Sequence, residues 1–151
     1  MSALVETPAE PLTSERFPML LFFDGDCAFC NRWVARVKDA DHAQHIRYGA
    51  KQGKTFQALA RVHPELADVE SVVLVKRLPT GGEEFMVRSA AIREVIKGLP
   101  RFRFFEVVLQ ICPAFISDIG YRIFSKLRAP LFGKWHHCRV PLEEDKQLYV
   151  D

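Results

Sequence analysis

The chain has 151 residues, long enough for one domain with a full hydrophobic core. Hydrophobic residues make up 48% of it and charged residues 26%, a balance that excludes an intrinsically disordered protein. A formal net charge of +2 gives no support for nucleic-acid binding.

In chain order, residues 1–18 are rich in Pro, Glu, Ser and Thr. They are expected to form a flexible tail, without the basic start and apolar core of an export signal. Met19-Leu20-Leu21-Phe22-Phe23 is a continuous apolar run closed by Asp24-Gly25, the pattern of a buried central strand. After it, Phe29, Trp33, Val34 and Val37 recur at helical spacing, predicting a first helix with Cys27 and Cys30 at its N-terminal end. Residues 45–48 alternate as a second strand. Residues 54–62 carry Phe56, Leu59, Ala60 and Val62 as a second helix that stops before Pro64.

The valine-rich residues 71–77 and residues 83–88 form strands three and four around the turn Thr80-Gly81-Gly82. Ser89 then reads as the N-cap of a third helix through Lys97, with Gly98 as its stop. The order β-α-β-α-β-β-α predicts an α/β fold: a thioredoxin-like mixed four-stranded sheet with helices on both faces.

A helical extension is expected at about residues 100–130, with helices near 102–112 and 114–127. Ile116, Ile119, Ile123 and Leu127 form an apolar stripe on the second of these. The domain is expected to span residues 19–142, and residues 143–151 are expected to be a C-terminal tail. The longest uncharged run in the extension, residues 107–117, has eleven residues and contains Pro113, too little for a membrane span. A soluble, cytoplasmic protein is therefore expected.

Cysteine usage narrows the chemistry. A domain of this size needs no structural disulfides, so the pair Cys27-Ala28-Phe29-Cys30 points to redox or metal chemistry. Two cysteines one helical turn apart can close a small reversible disulfide. Cys27, at the helix start, meets unpaired backbone N–H groups and the positive end of the helix dipole, which favour the attacking thiolate. Cys30 lies a turn deeper and suits resolution of a mixed disulfide. Asp24 and Asp26 oppose the thiolate by like charge, which predicts a moderate potential. Asp24 is expected either to accept a proton during resolution or to hold the local turn.

The run Leu21-Phe22-Phe23-Asp24-Gly25-Asp26-Cys27-Ala28-Phe29-Cys30-Asn31 resembles the opening signature of the DCC family of thiol–disulfide oxidoreductase-like proteins. Further similar stretches are Ser71-Val72-Val73-Leu74-Val75, Val87-Arg88-Ser89-Ala90-Ala91, Leu131-Phe132-Gly133-Lys134 and Cys138-Arg139-Val140-Pro141. The resemblance implies a thioredoxin-like fold with Asp24, Cys27 and Cys30 as the signature site. Residues 68–71 carry no proline where thioredoxins place a cis-proline before strand three.

The expected activity is dithiol–disulfide exchange with a protein or small-molecule thiol or disulfide, needing neither cofactor nor metal. Two other constellations compete with it. Cys27, Cys30 and Cys138 with His136 or His137 have the ligand types of a zinc-stabilised interaction module. Cys138 is otherwise a loop residue or an exchange partner of the pair. Asp24 and Asp26 after an apolar strand also resemble the first motif of an Asp-nucleophile phosphatase, with Ser117-Asp118 a poor match to its later motifs.

Between Tyr121 and Arg139 the chain carries Arg122, Lys126, Arg128, Lys134 and Arg139, interleaved with Phe124, Phe132 and Trp135, and no acid. Such a stretch is either a solvated helix face with aromatics turned inward or a docking surface for a partner or membrane. Cys112 is expected in the core, and His42, His45 and His63 at the surface.

Overall fold

A computed structural model describes residues 11–133 and 143–150. The apolar run forms strand β1, Met19–Phe23, at the centre of a five-stranded sheet. β2, Ile46–Ala50, lies parallel to it, with Phe23 opposite Ala50. On its other side β3, Val73–Arg77, runs antiparallel and pairs in turn with β4, Glu83–Val87. The 3–4 hairpin turns at Gly81, whose φ of +92° is the conformation that glycine adopts without strain.

The fifth strand corrects the expected count of four. β5, Tyr149–Val150, pairs in parallel with β2 at Tyr48 and Gly49. Residues 143–151 were expected as a tail, yet a 3₁₀ turn at Glu143–Leu148 leads into this strand and Leu148 is buried. Two residues are too short to show the alternation by which a strand is read from sequence.

Both faces of β1 are covered, so its side chains are apolar without alternation. Helix α1, Ala28–Ala40, and helix α4, Arg88–Ile96, cover one face, where Leu21, Phe23, Val34, Val37, Ala91 and Val95 form a core. Helix α2, Lys54–Val62, and the short α3, Pro64–Ala67, cover the other, where Phe22 meets Phe56 edge-on at 5.1 Å between ring centroids. Gly49 is required here, because a Cβ at this position would lie 2.7 Å from the Phe22 ring and 2.8 Å from Val150.

One cap differs from expectation. Val87, not Ser89, is the N-cap of α4. Ser89 is buried, and its hydroxyl donates to the Asp118 carboxylate. Asp118 lies 29 residues further on, and no local pattern announces such a tertiary contact. Gly98 ends the helix as expected, at φ +79°.

The extension consists of α5, Arg103–Ile111, and α6, Ala114–Phe132. Cys112, expected in the core, is half-buried at the C-cap of α5. Among the described residues, no single helix is long and apolar enough to cross a membrane.

Candidate functional site

β1 and β2 are parallel and end side by side, so their C-terminal loops meet. Residues 24–26 leave β1, and Cys27, extended at φ −89° and ψ 116°, caps α1. Its sulfur accepts the backbone N–H of Cys30 at 3.4 Å. The thiol therefore occupies the place of an N-capping side chain, facing backbone donors that the helix leaves unpaired. Sequence spacing put both cysteines at this helix start, and the structure places them there.

Exposure is less asymmetric than expected. Cys27 is 6% exposed and Cys30 4%, and both join the core beneath α1. Phe29, between them, packs edge-on against Phe124 of α6, with ring centroids 4.7 Å apart.

The loop before the cysteines is held by side chains. Asp24 Oδ1 accepts the backbone N–H of Asp26 at 3.0 Å, closing an Asx turn, and its backbone carbonyl accepts the N–H of Cys27 at 3.2 Å. Asn31 reaches back from α1, its Nδ2 donating to the carbonyls of Gly25 at 2.8 Å and Cys27 at 2.9 Å. Gln52, just past β2, clamps the loop from the side. Its Nε2 donates to Asp24 Oδ1 at 2.9 Å, and its Oε1 accepts the N–H of Gly25 at 3.1 Å. Lys51 anchors the same segment, its N–H donating to the Phe23 carbonyl at 2.9 Å.

Gln52 is no candidate site residue by sequence, because it stands 25 residues from Cys27. The signal was present in the strand pattern: two parallel strands ending in register bring the residues that follow them together. Arg88, part of the similar stretch 87–91, lies at the same end of the sheet. It has φ +55°, a left-handed conformation that costs a non-glycine residue strain, and its N–H donates to the Val72 carbonyl at 3.3 Å.

The other expected groups are dispersed. His136, His137 and Cys138 lie outside the described residues. Among the described residues, no three His, Cys, Asp or Glu side chains are grouped as metal ligands. Ser117 and Asp118, weighed as phosphatase groups, are held by Arg93 and Ser89 of α4. His42 and His45 are exposed, and the half-buried His63 stacks beside Phe85 at 4.6 Å.

The family model for DCC1-like thiol-disulfide oxidoreductases matches residues 21–134, from β1 to the end of α6. The chain belongs to this family. It is 30% identical over 126 residues to a chloroplastic DCC family protein of Arabidopsis thaliana, covering 80% of this chain and 69% of the relative. It is also 27% identical over 141 residues to the protein YuxK of Bacillus subtilis, covering 92% and 99% of the two chains. No solved structure matches. Membership in the DCC1-like family supports a redox role for the chain.

Proposed function

We propose that this DCC1-like protein is a thioredoxin-like dithiol–disulfide oxidoreductase acting through Cys27 and Cys30 in a reducing compartment such as the cytoplasm. One observation carries the proposal: the Cys27 sulfur stands at the N-cap of α1 and faces the N–H of Cys30, one turn along. Backbone N–H dipoles at a helix start face the sulfur that is to make the attack.

In the reducing direction, the Cys27 thiolate attacks one sulfur of a substrate disulfide. An S–S bond forms between Cys27 and the substrate, and the other substrate sulfur leaves as a thiolate that takes up a proton. Cys30 then loses its proton and attacks the Cys27 sulfur, releasing the second substrate thiolate. Two electrons pass to the substrate and the enzyme keeps an intramolecular disulfide. An external dithiol or glutathione returns it to the reduced state.

Of the two roles expected of Asp24, the geometry favours the structural one. Its carboxylate oxygen accepts from Asp26 and Gln52, which keeps Cys27 at the helix start. The substrate is a protein or small-molecule disulfide.

The test is thiol mass mapping after equilibration in glutathione buffers of graded potential, with zinc measured on the same preparation. The expected result is a reversible loss of two hydrogens confined to the peptide that carries both cysteines, in metal-free protein. Cys30→Ser is expected to accumulate mixed disulfides and Cys27→Ser not. Thiols that stay reduced at every potential would reject the proposal, and stoichiometric zinc with Cys138 essential for folding would assign the cysteines to a metal module.

A further inference from the structure

Helices α5 and α6 are turned inside out. Polar groups at their junction with the domain are bound by α4: Arg93 donates to the Cys112 carbonyl at 3.0 Å and to Ser117 Oγ at 2.9 Å, and Ser89 donates to Asp118. Most of their large apolar groups face away from it. Phe104 is 75% exposed, Ile111 78% and Phe115 65%. Ile119 and Ile123 of the apolar stripe are exposed as well. Among the described residues, every exposed large apolar side chain belongs to these two helices. Soluble monomers scatter such residues singly, and a continuous patch marks a surface that something covers.

The charge around the patch identifies what covers it. Residues 97–133 carry six basic side chains and two acidic ones. Lys97, Arg101, Arg103, Arg122 and Lys126 are exposed. Of the two acids, Asp118 is bound to Ser89, and Glu106 is half-buried in the cleft against α4. The apolar patch therefore has a cationic rim. A second copy packed on it about a two-fold axis would set like charges against each other. An anionic lipid surface takes the apolar face into the acyl boundary and pairs the rim with headgroups.

The shape agrees with a surface-bound element. The segment Pro100–Ile111 and the segment Ala114–Leu127 are apolar enough together, but they bend by 117° at the break. Neither alone is long and apolar enough to cross a bilayer, and a pair bent this sharply fits its interface.

We propose that α5 and α6 form a docking surface for anionic membranes. Through the Phe29–Phe124 contact, the docking helices and the cysteine motif share one packed junction. The inference stands apart from the redox assignment, because it rests on no property of the thiols.

The test is co-sedimentation of the full chain with vesicles of phosphatidylcholine alone and of phosphatidylcholine mixed with phosphatidylglycerol. Wild-type protein is expected to partition onto the anionic vesicles about tenfold better than onto neutral ones, and less well as salt is raised. Phe104→Ser combined with Phe115→Ser is expected to reduce that binding about tenfold, with unchanged circular dichroism, since both side chains already face away from the domain. Arg122→Gln with Lys126→Gln is expected to reduce the preference for anionic over neutral vesicles. Failure of wild type to bind anionic vesicles, or equal binding by the Phe104→Ser/Phe115→Ser protein, overturns the proposal. A discrete dimer that the same apolar substitutions dissociate, without vesicle binding, gives the surface to a second copy instead.

Discussion

Cys27 is both a helix cap and a thiol, and the loop that delivers it is held by Asp24, Asn31 and Gln52. Gln52 presents a donor to Asp24 and an acceptor to Gly25, so one amide holds two points of the loop that delivers Cys27. Gln52→Ala is expected to slow reduction of a small disulfide several-fold while lowering stability by no more than about 1 kcal/mol, because the amide is exposed and water replaces part of what it supplies. Gln52→Glu is expected to slow it further, since a third carboxylate would face Asp24 and Asp26 and oppose the thiolate. Exchange rates across pH, beside urea midpoints for the same variants, check both expectations. Wild-type rates in both variants would show that the loop holds without its clamp.

Among the elements, β5 has the greatest effect for its size. Two residues complete the sheet, and Leu148 just before them is 2% exposed within the core that also contains the cysteines. Leu148→Ala is expected to cost about 2–4 kcal/mol in urea unfolding, the range for emptying a buried leucine site. A true tail residue would change the midpoint by nothing measurable. α4 illustrates a similar dependence on distant chain: Ser89 and Arg93 are polar positions on a short helix, and each finds its partners only after α5 and α6 have folded back across it.

At the scale of the whole molecule, the core contains a titrating group that limits alkaline stability. Tyr48 is 1% exposed between β1 and β5, and its hydroxyl has no hydrogen-bond partner among the described residues. Burial, and then the nearby Asp41, raise its pKa well above the ordinary value of about 10. The folded state therefore keeps this proton where the unfolded chain releases it. The stability contribution is complete below about pH 10 and is lost above it, at up to about 1.4 kcal/mol per pH unit. Tyr48→Phe is expected to match wild type near neutral pH or exceed it, since it removes an unsatisfied buried hydroxyl, and to flatten the alkaline decline. Urea midpoints measured at about pH 8 and about pH 11 distinguish the two proteins.

Local pattern sufficed wherever neighbours along the chain set the outcome. The apolar run became β1, the spacing of Phe56 and Leu59 gave α2 its observed bounds, Gly98 ended α4, and both cysteines fell at the start of α1. Each of these depends on periodicity, on capping or on a backbone conformation that one residue type prefers. Tertiary structure decided the rest. Gln52 reaches Asp24 because two parallel strands end together, and Tyr149 enters the sheet because Leu148 fills the core beside β2. The stripe of Ile116, Ile119, Ile123 and Leu127 was visible as a stripe, but its direction was not. Periodicity fixes which side chains share a helix face, whereas the side that turns inward depends on what the neighbouring helix offers. Here α4 offers Ser89 and Arg93, so Ser117 and Asp118 of α6 turn inward and the isoleucine stripe remains outside.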